Sequence, residues 1–170
     1  GESVTRDTGA LLFILVSAMR AKRILEVGGG AGYATLWLGE AARLGKAQVV
    51  SIERDTAQVN IARRNLNAAS LVSCVDVRIG DAARLLPRLE ETYDLVLFDD
   101  DREHRLDFLK GLLPRIRIGG LALSHAGLSY PAELSTYTAF VRSAPGLDSV
   151  LAPVGSGLEM TLKEAEVAIF

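Results

Sequence analysis

Apolar residues in this chain switch repeatedly between short strand-like runs and longer amphipathic stretches, and that alternation limits the fold more than any other feature. The short runs lie at 23–28, 47–53, 74–79, 93–99 and 121–125, each apolar and rich in branched side chains. Unbroken apolar runs suit strands buried on both faces, and parallel strands need a long crossover between them, usually a helix. Amphipathic stretches at 34–44, 56–69, 82–89, 104–116 and 133–143 supply such crossovers, and 8–21 reads as a helix that covers the sheet before its first strand. The pattern predicts a doubly wound α/β fold with a mostly parallel sheet. Two more runs, 149–153 and 158–163, flank Gly155-Ser156-Gly157 and read as a hairpin that reverses one strand. The expected result is a seven-stranded sheet in a single domain over 1–170, with residues 1–21 as the cover and 148–163 as a C-terminal antiparallel hairpin. Asp55 and Gln58 form a capping box for the helix at 56–69, while Gly119-Gly120 are expected to end the one at 104–116, whose last turn Pro114 disturbs.

Charge removes several function classes. Nineteen Lys and Arg against twenty-one Asp and Glu leave a net charge of −2, with no basic excess to attract nucleic acid or an anionic membrane surface. A hydrophobic share of 49% with 24% charged residues is a globular balance, far from that of a disordered chain. The single cysteine, Cys74, forms no disulfide within the chain and builds no cysteine zinc site, which points to a reducing, cytoplasmic setting. The longest apolar run, 10–19, is about half of the ~20 residues that span a bilayer, and no basic segment or small-residue cleavage site marks a signal peptide. The chain opens on Gly1 rather than Met, as a trimmed start or a tag scar would.

The most informative stretch is Glu26-Val27-Gly28-Gly29-Gly30-Ala31-Gly32-Tyr33, a glycine-rich turn directly after the first strand and before a helix. Glycines are needed where a turn is tight and a ligand comes close to backbone. A dinucleotide fingerprint G-x-G-x-x-G does not fit: from Gly28 its last glycine falls on Tyr33, and from Gly30 on Thr35. The motif is instead acid-x-G-x-G-x-G. By itself it is equally a plain strand-to-helix connection.

The residues that end the later strands add weight, because open α/β sheets bind ligands outside the carboxyl ends of their strands. The second strand ends in Glu53, 25 residues beyond Gly28, where an acid can accept bonds from ribose hydroxyls. The third ends in Gly80-Asp81, where Asp81 can accept from an adenine amino group or cap the helix that starts at Ala82. The fourth ends in Asp99-Asp100-Asp101 and the fifth in Ser124-His125. Five successive strands thus deliver polar groups to one edge of the sheet.

These residues resemble the class I S-adenosylmethionine-dependent methyltransferases, and among them the caffeoyl-CoA and catechol O-methyltransferase-like family, over about residues 8–163. LEVGGGAGYATL, VVSIERD, RIGDA, YDLVLFDDDRE and APVGSGLEMTLK look like its successive motifs in order and spacing. The resemblance implies a Rossmann-like fold and the cofactor S-adenosyl-L-methionine. Glu26, Gly28, Gly30, Gly32 and Tyr33 would lie by its methionine part, Glu53 at the ribose, and Asp81 with Ala82 at the adenine. Asp99 would sit beside both cofactor and acceptor. The implied partner is a small-molecule acceptor, and a homodimer is one assembly open to such a chain.

Metal-dependent members of that family hold a divalent cation with the first acid of the fourth-strand motif and an Asp-Asn pair after the fifth strand. Asp99 matches the first ligand, but His125 and Ala126 stand where the pair would be, and Arg102 replaces a frequent Lys. A magnesium or calcium shell wants several oxygen ligands, so a hard divalent metal such as magnesium is not expected. Three roles stay open for His125: a plain strand-end residue, a ligand with Asp99 and Asp101 for a softer metal, or the general base that takes the acceptor's proton. Asp99 and Arg102 would orient the acceptor, with Tyr130, Tyr137 and His104 as further pocket walls, although a tyrosine on a helical pattern, as Tyr137 is, more often simply packs in the core. Relative to longer family members the chain lacks an N-terminal helical extension, which implies an open acceptor pocket or one completed by missing residues or a partner subunit. The expected function is O-methyl transfer to a small catechol- or phenol-like acceptor. A cofactor-binding module that has lost catalysis is the alternative, and a nicotinamide enzyme is disfavoured by Tyr33.

Overall fold

The computed structural model describes residues 3–99 and 101–170. Its elements run α1 (Arg6–Met19), β1 (Arg23–Val27), α2 (Tyr33–Gly45), β2 (Gln48–Glu53), α3 (Thr56–Ala68), β3 (Val75–Ile79), α4 (Ala82–Leu85), β4 (Tyr93–Phe98), α5 (Arg105–Leu112), β5 (Ile116–His125), α6 (Ser135–Ser143), β6 (Leu147–Ala152) and β7 (Leu158–Lys163). The strands form one seven-stranded sheet in the order β3-β2-β1-β4-β5-β7-β6. Neighbours from β3 to β5 pair in parallel, while β7 lies antiparallel to both β5 and β6. The expected mixed sheet, reversed in its C-terminal hairpin, is the one observed.

Alternating residues of each central strand feed two cores. Ile24, Val49, Leu95 and Leu123 pack with Leu12 and Val16 of α1 and Ala34 and Leu38 of α2. Leu25, Ile52, Val96 and Ala122 pack with Phe108 and Leu109 of α5 and Tyr137 and Val141 of α6. That two-sided burial is why these strands read as continuous apolar runs rather than as alternating ones. Local signals set the helix ends. Asp55 caps α3 by accepting from the backbone N–H groups of Ala57 and Gln58 at 2.8 and 3.3 Å, and Arg20 closes α1 in the left-handed region at φ 52°.

One expected boundary is corrected. The helix expected over 104–116 stops at Leu112 and tightens into a 3-10 turn, Leu113–Arg115, around Pro114, which has no N–H to continue the ladder. Gly119 and Gly120 do not end it; they lie inside β5, opposite a shift of register between Tyr93 and Leu95. A Cβ on Gly120 would lie 2.9 Å from the Arg117 carbonyl and 3.0 Å from that of Asp94. The glycines therefore serve a bulged strand, where backbones come too close for a side chain. The hairpin's first strand also begins two residues early, at Leu147. Among the described residues no helix is long and apolar enough to cross a membrane.

Candidate active site

The loop between β1 and α2 leaves the sheet where β1 is flanked by β2 and β4, the point at which strand order reverses. Gly28 and Gly30 take φ of 87° and 51°, the left-handed region that costs side chains about 1–2 kcal/mol. Space divides the loop's glycines into two kinds. A Cβ on Gly30 would meet nothing within 4 Å, so its backbone faces open space, whereas one on Gly29 would lie 2.2 Å from Ser51 Oγ and 2.9 Å from Glu26 Oε2. Gly29→Ala is therefore expected to lose about 1–3 kcal/mol of stability through overpacking. Gly30→Ala should lose only its conformational strain of about 1–2 kcal/mol while narrowing the open side. Urea unfolding of the two variants checks this, and a larger loss for Gly30→Ala than for Gly29→Ala would contradict it.

Beneath Gly29 the Glu26 side chain is fully buried. Its Oε2 accepts from the hydroxyls of Thr35 and Ser51 at 2.5 Å each, and its Oε1 is buried without a hydrogen-bond partner. Burial is the main force that pushes this carboxyl up to about 7; the two hydroxyls pull it down, and the negative charges of Asp99 and Glu53 push it further up. Ser51 and Thr35 were not singled out from the sequence. Their signal was present: Ser51 is the polar interruption of the second apolar run, and it pairs in register with Glu26.

Glu53 ends β2 nearly buried, with Oε2 accepting from the Gly30 N–H and Oε1 from the Asp55 N–H, both at 2.9 Å. It ties the glycine loop to the second strand. Asp81 accepts from the Ala83 N–H at 3.0 Å and so caps α4. The same Asp81, with Ala82, lines a shallow hollow of about 30 Å³ whose apolar wall is Val27 and Ile52. Through Gly28, Glu53 and Arg54 this hollow continues into a cleft of about 490 Å³, which is bounded by Gly28–Gly30, Tyr33 and Asp99. Tyr33 is 43% exposed at the start of α2. Gly32 faces away from the opening, since a Cβ there would meet Ala62 at 3.0 Å.

Asp99 and His125 end the adjacent strands β4 and β5. Asp99 borders the cleft with its side chain 14% exposed, whereas the imidazole of His125 is 0% exposed. His125 Nδ1 and Asp99 Oδ1 approach to 2.7 Å without the alignment of a hydrogen bond. His125 thus reaches the cleft only through Asp99. Behind it, Arg105 donates from Nη1 to Ser124 Oγ at 3.0 Å and to the His125 carbonyl at 2.7 Å. The loops that follow both strands hold strained backbone, at Asp101 (φ 52°) and Ala126 (φ 71°), as functional sites often do.

The other expected wall residues separate. Arg102 forms an ion pair with Glu133 and lies over the Tyr130 ring, 3.8 Å from its centre, so these two stand together. His104 is exposed and pairs with Asp101 at 2.8 Å, which raises its pKa. Tyr137 is not a wall. It is buried in the core with its ring edge-on to Phe98, because it sits on the apolar stripe of α6. Asp100 lies outside the described residues. Among the described residues around Asp99 the donors do not suit a hard cation, since the expected pair is an imidazole sealed from the cleft and the methyl of Ala126. Among the described residues no three His, Cys, Asp or Glu side chains cluster as metal ligands. The glycine backbone, Glu53 and the Asp81 hollow, by contrast, suit an adenosyl ligand with an amino-acid tail.

Comparison with known proteins identifies the family. A family model described as O-methyltransferase matches residues 2–128. A catechol O-methyltransferase of Niastella koreensis is 31% identical over 126 residues, 72% of this chain and 57% of that protein. One of Mycobacterium tuberculosis is 32% identical over 120 residues, 70% of this chain and 54% of that protein. The matches thus span little more than half the length of these curated relatives. The crystal structure of an O-methyltransferase from Bacillus cereus in complex with SAH superposes with a TM-score of 0.85 at 25% identity, covering 95% of this chain and 82% of that one. By sequence and by fold, this chain belongs to the O-methyltransferase family.

Proposed function

We propose that the chain transfers a methyl group from S-adenosylmethionine to the hydroxyl of a small catechol- or phenol-like acceptor, without the magnesium site of related enzymes. The observation that carries this reading is the cleft itself: the ends of β1, β2 and β4 border it, and the end of β3 borders the hollow that opens from it. When bound, the donor supplies a methyl carbon on a positively charged sulfur, already activated for displacement. The protein's part is to align and to handle one proton. Gly28 and Gly30 let the ligand approach backbone, Glu53 accepts from the ribose hydroxyls, and the Asp81–Ala82 backbone with Val27 and Ile52 holds the adenine. Asp99 accepts the hydrogen bond of the acceptor hydroxyl and draws off its proton, while His125 holds Asp99 in place from behind. Arg102 with Tyr130 orients the acceptor at the rim. The name of the two catechol O-methyltransferase relatives supports the acceptor class. A lone, buried Cys74 suits the cytoplasm.

Calorimetric titration with S-adenosylhomocysteine, with and without divalent metal, tests the cofactor half. Binding should be metal-independent, and Glu53→Ala should weaken it at least tenfold, since each charge-assisted bond to the ribose is worth about 1.5–3 kcal/mol. Methyl transfer to a panel of catechols and phenols in excess chelator tests the rest. Loss of activity restored by magnesium would overturn the metal-free reading. Cofactor binding with no acceptor methylated would favour a module that has lost catalysis, a second reading to which the sealed His125 lends weight.

A further inference from the structure

We propose that Glu26, buried beneath the glycine loop with one carboxyl oxygen unpartnered, distinguishes the positively charged methyl donor from its neutral thioether product by giving up and regaining a proton. The inference rests on the cofactor reading above and deepens it. Glu26 does not line the cleft. It lies one layer below, against Gly29, where it acts on a ligand through its charge alone.

The groups around it leave that charge unbalanced. From β2 it faces Ser51 and the carboxylate of Glu53, from α2 the hydroxyl of Thr35, and from β4 the carboxylate of Asp99; among the described residues no cation contributes to its environment. Two hydroxyl donors serve Oε2 and none serves Oε1. A fully buried carboxylate with half its lone pairs unmet, beside two others, has every reason to hold a proton while the cleft contains only water. Its titration point of about 7 agrees with that geometry and puts the exchange at neutral pH. A sulfonium in the cleft above the loop provides the missing positive charge, so the carboxylate form becomes favourable and the proton leaves to solvent. After methyl transfer the sulfur is neutral and the proton returns, which weakens the hold on the product. Linkage fixes the direction: a ligand that favours the deprotonated form binds more tightly as pH rises through the free-state titration.

Isothermal titration calorimetry of the full chain with S-adenosylmethionine and with S-adenosylhomocysteine, at pH 6, 7 and 8 in buffers of differing ionisation heat, reads both affinity and protons released. For a ligand that lowers the Glu26 titration by about one unit, affinity for S-adenosylmethionine should rise roughly fivefold from pH 6 to 8, and that for S-adenosylhomocysteine about twofold or less. Glu26→Gln keeps the shape and removes the titration. The donor's own amino group titrates in both proteins, so the difference between wild type and variant is the signal. In the variant the preference for donor over product should no longer change with pH. Thermal unfolding shows that the variant folds and checks the burial. With its folded titration raised, wild type binds extra protons in the window between about 4.5 and 7 and loses stability as pH rises through it, so the variant's relative stability should climb there and level off above. Identical pH profiles in wild type and variant, or equal proton release with donor and product, would overturn the inference while leaving the cofactor reading intact. Failure of both ligands to bind wild type at any pH would overturn the cofactor reading and this inference with it.

Discussion

Asp99→Ala is expected to lower the turnover of methyl transfer by roughly two to four orders of magnitude, the usual worth of a positioned proton acceptor. The reason is its place: among the acids that follow β4, Asp99 borders the cleft and also touches the buried His125 at 2.7 Å. Asp99→Asn keeps the shape and a hydrogen-bond acceptor but no negative charge, so it should recover alignment and not proton removal. His125→Ala should cost less than Asp99→Ala, and the double variant should cost little more than Asp99→Ala alone, because the imidazole works through the carboxylate. Turnover and cofactor affinity, measured separately on each variant, check this. If His125→Ala abolished activity while Asp99→Asn kept it, the imidazole itself would be the base, exposed by an opening of the loops around it.

Arg105→Ala is expected to lose about 3–5 kcal/mol of stability, a fall in Tm on the order of 10 °C for a chain of this size. Among the described residues Arg105 is the largest of the fully buried side chains. Its loss would leave a cavity and would also strip donors from Ser124 Oγ and the His125 carbonyl inside the core, each a desolvated acceptor. Arg105→Met separates the two effects, since it fills most of the volume and restores no donor; it should recover only part of the loss. Because Arg105 fixes the backbone of His125, both variants should also lower turnover by more than a comparable loss of stability elsewhere in α5. Full recovery by methionine would assign the whole effect to packing.

Much of the fold was legible because burial on both sheet faces leaves continuous apolar runs, which helix-length amphipathic stretches separate. The glycine motif and the acids at 53, 81 and 99 were legible for a related reason: strand ends are fixed by the same runs, and ligands gather at strand ends. Gly119 and Gly120 misled because glycine after an amphipathic stretch signals both a helix end and a bulged strand, and only the register between β4 and β5 separates the two. Tyr137 left two readings open, wall or core, because a tyrosine shows its polar tip in a sequence while its surroundings decide whether ring or hydroxyl governs its place; α6 turns it into the core beside Phe98.

By itself the sequence determined the order of elements, the reversed hairpin and which residues stand at the sheet's carboxyl edge, since these follow from periodicity and from residue chemistry along the chain. Only the tertiary structure decided that the imidazole of His125 is sealed from the cleft behind Asp99, and that Glu26 is sealed beneath Gly29 with an oxygen unmet. Depth and charge balance are sums over neighbours from several elements, so no spacing within one segment encodes them.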